Sequence, residues 1–120
     1  MQYNLNIKLN TDFFDWYAAD WKKAVLSQLE ANKEALELML QGYHTKEKLR
    51  QVSFITDSLK LEEAGKGNLI AEYQLEEYNI CSAIDRSDMD RMTLTFIIDK
   101  ITLTMKVSGI YIPEREPDSF

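Results

Sequence analysis

Met92-Thr93-Leu94-Thr95-Phe96-Ile97-Ile98-Asp99-Lys100-Ile101-Thr102-Leu103-Thr104-Met105-Lys106-Val107 alternates apolar and polar residues on both sides of Asp99-Lys100. A period of two marks a strand with one dry face, and the central pair divides the run into the arms of a hairpin. With Asp99 and Lys100 as the turn, Ile98 stands opposite Ile101, Phe96 opposite Leu103, Leu94 opposite Met105 and Met92 opposite Val107. On the other side Thr95 meets Thr104 and Thr93 meets Lys106. One face is apolar and the other rich in hydroxyls. A sheet divided in this way has to cover its apolar side, and the segment long enough to do so runs from Asp12 to Gln41.

That segment reads as one long amphipathic helix. Asn10-Thr11-Asp12 offers capping side chains, and Asp12 and Asp15 place carboxylates at the positive end of the helix dipole. At 100° per residue, Phe14, Ala18, Trp21, Val25, Leu29, Leu36, Met39 and Leu40 form one stripe, opposite Asp15, Lys23, Glu30, Lys33, Glu34 and Glu37. A second reading divides the segment, because Ser27-Gln28-Leu29-Glu30 matches a capping box and Asn32 interrupts the stripe. Gly42 suits a left-handed residue just past the helix, with Tyr43 reaching back to Leu38.

Outward from these two elements, Tyr3, Leu5, Ile7 and Leu9 alternate with polar residues as a first strand. After the connector His44-Thr45-Lys46-Glu47-Lys48 the chain is β-rich. Val52 and Phe54 keep one parity and Leu59 and Leu61 the other, which predicts a bulge near Thr56-Asp57-Ser58. Glu63 to Asn68 reads as a turn, and Leu69, Ala71, Tyr73 and Leu75 open the next strand. Its parity shifts at Glu76-Glu77, and Asp85 to Asp90 reads as a polar loop before the hairpin. Pro113 ends the last strand. The expected fold is therefore α+β, a single domain over residues 1–113 with a frayed tail at 114–120. One long N-terminal helix packs on a curved antiparallel sheet of about five strands, in the order β-α-β-β-β-β. This order resembles the cystatin-type architecture, in which a sheet wraps a helix. The resemblance covers element order alone: the inhibitory Gln-x-Val-x-Gly motif of that family is absent, since Gln51-Val52-Ser53-Phe54-Ile55 has neither its spacing nor its glycine. Inhibition of cysteine proteases is not implied.

At 120 residues the chain suits one core. Its net charge of −6 is concentrated: from Asp57 to Asp90 there are nine acids against three bases, and the rest of the chain sums to zero. Such a field repels phosphate backbones and anionic lipid surfaces, so neither nucleic acid nor a membrane is an expected partner, and a basic protein is. The absence of a leader-like segment and the single cysteine, Cys81, point to the cytoplasm. Cys81 itself reads as a small buried strand residue.

The residues needed for catalysis are scarce. His44 is the sole histidine and follows a helix end, where it suits the C-terminal carbonyls. One histidine and one cysteine do not make a zinc site or a histidine-based triad, and neither Gly-rich phosphate motif is present. Asp85, Asp88 and Asp90 are closely spaced, but the order and glycine of an EF-hand are missing. No cofactor is expected. The acids Glu72, Glu76, Glu77, Asp85, Asp88 and Asp90 read either as a solvated face or as a docking patch for a cationic surface, with Glu72, Gln74 and Glu76 sharing one strand face. Trp16 falls near the charged side of the helix, away from Phe14 and Trp21, and suits a partner anchor. The leading expectation is a non-enzymatic, acidic protein-binding module of the immunity or inhibitor type that neutralises a basic toxin or nuclease. The alternatives are a small-molecule binder or enzyme with a pocket between sheet and helix, lined by Tyr73, Tyr78 and Cys81, and a homo-oligomeric subunit joined through Trp16 and an open sheet edge.

Overall fold

The computed structural model describes residues 1–63, 65–79 and 82–112, without the side chains of 78, 79 and 82–87. The chain runs β1 (Asn4–Lys8), α1 (Asp12–Ala19), α2 (Trp21–Ala31), α3 (Lys33–Gln41), β2 (Lys48–Glu63), β3 (Lys66–Asn79), β4 (Ser82–Asp99) and β5 (Thr104–Ser108). All five strands join one antiparallel sheet in the order β1-β5-β4-β3-β2. The α+β class, the five antiparallel strands and the place of the helical segment between the first and second strands stand.

The single long helix does not. It starts at Asp12 and ends at Gln41 as expected, but breaks at Asp20 and Asn32. Asp20 is extended (φ −155°, ψ 91°). Its N–H closes α1 on the carbonyl of Trp16, and its carboxylate accepts from the N–H of Lys23, capping α2. An aspartate stabilises a helix start more than a helix interior, so a cap wins over continuation. Asn32, at φ −113°, donates its side-chain amide to the carbonyl of Gln28. The break at Asn32 follows the divided reading, whereas Ser27 to Glu30 stays inside α2. Resetting the phase at Asp20 turns Phe13, rather than Phe14, into the core and leaves Ala18 exposed. Gly42 is right-handed at φ −60°, and Leu38 is 77% exposed, so Tyr43 packs elsewhere. Its ring meets that of Tyr3 edge-on at 4.9 Å, and its hydroxyl accepts from the N–H of Tyr3 and donates to the carbonyl of Ile110.

The hairpin keeps its faces but changes register. Phe96 pairs with Val107 and Ile98 with Met105, so the partner of each residue lies four positions beyond the expected one. An even slip preserves which side chains face inward. The loop is longer than two residues because the Asp99 carboxylate accepts from the N–H groups of Ile101 and Thr102 and Leu103 adopts φ +54°. Those two backbone donors hold the Asp99 carboxyl below the usual carboxylate range. Ile101, placed opposite Ile98 by the sequence, is 93% exposed at the loop tip.

Elsewhere the pairing corrects three boundaries. Glu63 pairs with Lys66, so the turn closes tightly, with Gly65 at φ +77° where a side chain would be strained. The β2–β3 register shifts between Ile55 and Lys60, which is the expected bulge, and a second shift surrounds Gln51 at φ +56°. The β3–β4 ladder runs unbroken through Glu76 and Glu77 and slips only beyond them. Residues 85–90 belong to β4 rather than to a loop. Tail residues 113–120 and Cys81 lie outside the described residues.

The core lies between the inner sheet face and the helices. Leu69, Ala71, Tyr73 and Leu75 of β3 and Met92, Leu94 and Phe96 of β4 meet Val25, Leu29, Leu36 and Leu40 of the helices in one buried cluster. Gly67 makes room for it: a Cβ there would lie 2.3 Å from the carbonyl oxygen of Lys60 and 2.6 Å from the ring of Phe96. Helix α3 touches both β1 and β2, the two edges of the sheet.

Candidate functional site

Tyr73 is a polar residue set in an apolar row. Its neighbours on β3, Ala71 and Leu75, are buried, and Tyr73 itself has no exposed surface. The hydroxyl is satisfied from 29 residues away in sequence, at 2.9 Å from Nε2 of His44, with ring centroids 5.3 Å apart. His44 is thus half-buried and engaged with β3 rather than simply crowning the helix end.

The connector that carries His44 is held by one side chain. Gln41, the last residue of α3, donates Nε2 to the carbonyls of His44 (2.6 Å) and Glu47 (2.7 Å), and its Oε1 accepts from the N–H of Leu49 (2.9 Å). A single amide replaces the secondary structure that residues 42–47 lack. One turn earlier on α3, Glu37 accepts from the N–H of Val52 beside the bulge at Gln51.

In the β3–β4 ladder Asp90 stands opposite Tyr73 and Asp88 opposite Leu75. Both aspartates continue the inner row Phe96, Leu94, Met92, because alternate residues of a strand share a face. Both are exposed. Burial, then the charges of Asp90 and Glu47, push the Tyr73 phenol up to about 12. Two carboxylates on different elements therefore disfavour the charged form of one hydroxyl. The phenol stays a neutral hydrogen-bonding group through the physiological range.

The remaining acids are arranged differently. Glu72 and Glu76 lie on the outer face, where Glu72 accepts from Arg91 Nε at 2.9 Å and Glu76 lies 3.4 Å from Arg50 Nε. The same face carries Lys8, Lys48 and Lys106. The continuous acidic face expected through Glu72, Gln74 and Glu76 is instead matched by cations. Glu77 shares the inner parity, opposite Arg86, and is half-buried. The side chain of Asp85 lies outside the described residues, as does that of Tyr78, although both backbones are in strands. Trp16 belongs to neither group. It is 48% exposed and borders a shallow hollow of about 470 Å³ with Ala19, Asp20, Lys23, Ala24 and Ser27, all on α1, α2 and the break between them.

Among the described residues, no buried side-chain nitrogen or oxygen lacks a partner, and no group of three or more His, Cys, Asp and Glu is placed to hold a metal ion. No described helix is long and apolar enough to cross a membrane. Sequence reasoning placed Tyr73 in an inner row but missed its pairing with His44, because nothing local signals a contact across 29 residues. Comparison with family models, curated proteins and solved structures finds no match to this chain.

Proposed function

We propose that this chain is a non-enzymatic binding module that captures a basic protein, in the manner of an inhibitor or immunity protein, through Asp88, Asp90 and Glu47. The observation that carries this reading is the change along one strand face. The inner row of β4 passes from the buried Phe96, Leu94 and Met92 to the exposed Asp90 and Asp88 where the apolar cover ends. Charges at such a margin act on an approaching cation with little cost of desolvation, and they raise its encounter rate.

Binding to an immobilised oligolysine peptide tests the location of the contact, using two double variants of equal charge. Asp88→Asn with Asp90→Asn should weaken binding about tenfold and flatten its salt dependence, whereas Glu30→Gln with Glu34→Gln, both exposed on the helices, should change it less than about twofold. Equal losses from the two pairs would show that only net charge matters and would end the proposal.

A further inference from the structure

The β4 strand is long and its partner on one side is short. Strand β5 pairs with β4 only from Thr95 to Asp99, so along residues 82–94 no strand lies on that side among the described residues. The direction of the backbone groups follows from the ladder. The N–H of Ile98 donates to the carbonyl of Gly65, which makes Ile98 one of the residues bonded to β3. The register then runs without a slip to Glu77 opposite Arg86, so Phe96, Leu94, Met92, Asp90 and Asp88 also point their backbone groups toward β3. Met89, Arg91 and Thr93 point theirs the other way, to the open side. An independent contact agrees: the N–H of Arg91 donates not to a strand but to the carboxylate of Asp90, at 2.8 Å.

We infer that this edge of β4 takes up an extended cationic segment of a partner protein as an additional, antiparallel strand. The inference rests on the docking function proposed above and specifies how the partner is held. Strand addition uses backbone hydrogen bonds for affinity and alternate side chains for selection. Residues of the incoming strand opposite Asp88 and Asp90 face inward and are lysine or arginine. Those opposite Met89, Arg91 and Thr93 face outward and are apolar or β-branched, to cover Met89, which is 61% exposed. A carbonyl of the incoming strand accepts from the N–H of Arg91, and the carboxylate of Asp90, released from that N–H, meets a cation instead. Two other occupants are disfavoured. Segment 113–120 of this chain carries Glu114, Glu116 and Asp118 against Arg115, and has prolines at 113 and 117 that cannot donate. A second copy brings another chain of net charge −6 to the edge.

The probe is a capped seven-residue peptide alternating lysine with valine or threonine, in three forms of equal charge: unmodified, N-methylated on the valine and threonine residues, and N-methylated on the lysines. In an antiparallel strand with its lysines opposite Asp88 and Asp90, the valine and threonine amides point at β4. Methylating them should weaken binding about tenfold or more, while methylating the lysines changes it little. The unmodified peptide should slow hydrogen exchange at the amides of Met89, Arg91 and Thr93. Thr93→Pro, which removes an edge donor without touching the ladder to β3, should lower affinity relative to Thr93→Ala. Equal binding of all three peptides overturns strand addition, and the docking reading then stands if Asp88→Asn with Asp90→Asn still weakens that binding. Loss confined to the lysine-methylated form overturns the antiparallel direction. Absence of binding by the unmodified peptide overturns strand addition outright, and protection of those three amides in the protein alone overturns it too, assigning the edge to a second copy if it grows with protein concentration and to segment 113–120 if it does not.

Discussion

The two ends of the β3–β4 ribbon are built on one ladder that holds register from Lys66 opposite Ile97 to Glu77 opposite Arg86, yet their inner faces do opposite things. At the end near Gly67, Leu69 faces Leu94 and the ring of Phe96 lies against the backbone, all without exposed surface. At the other end Tyr73 and Leu75 are buried on β3 while their partners Asp90 and Asp88 on β4 are exposed. The boundary of the core therefore runs between two neighbouring strands rather than across their ends. Backbone pairing alone does not decide what a sheet face is for. The cover laid on it does, and at Tyr73 that cover includes His44, on the connector fastened by Gln41.

Substitutions at the two ends should differ most in stability. Gly67→Ala forces a methyl group against the Lys60 carbonyl and the Phe96 ring, and should cost about 3 kcal/mol in a denaturant titration. A cost below ~1 kcal/mol would mean that the packed end yields, and the contrast would dissolve. The boundary itself is addressed by alkaline unfolding. With the Tyr73 phenol held at about 12 in the folded protein against the ordinary tyrosine value of 10.0, the unfolded chain releases its proton first. Stability due to this group is complete below pH 10 and drains away as pH rises toward 12, by roughly 2 kcal/mol. Tyr73→Phe should remove that part of the slope, measured as the shift of denaturation midpoint between pH 9 and 11.5; identical slopes in both proteins would place the phenol in water. The smallest effect belongs to the outer face. Glu72→Gln removes a partner of Arg91 across an exposed pair and should change stability by less than about 0.5 kcal/mol.

The inner rows were legible because strand parity survives errors of register. Placing the turn at Asp99-Lys100 misassigned every partner in the hairpin, yet Phe96, Leu94, Met105 and Val107 all point inward as expected. The helix breaks were harder to see. Asp20 is ordinary inside an amphipathic pattern, and only the competition between capping and continuation, settled by where the next turn packs, makes it a boundary. The acidic window was read as a single feature because a sequence records charge along the chain. The sheet sends Glu72 and Glu76 to one side and Asp88 and Asp90 to the other, and it brings in Arg50 and Arg91 from two other strands. Glu47, which lies outside that window, joins the inner group through a connector whose path depends on the amide of Gln41.

Because α3 bears on β1 and β2 at once, the outermost strands are linked through a helix although three strands separate them in the sheet. Loosening that rod would free both margins of the sheet together, so the first and last strands in spatial order belong to one cooperative opening unit. A local defect in a nine-residue helix is in this way communicated over the full breadth of the molecule.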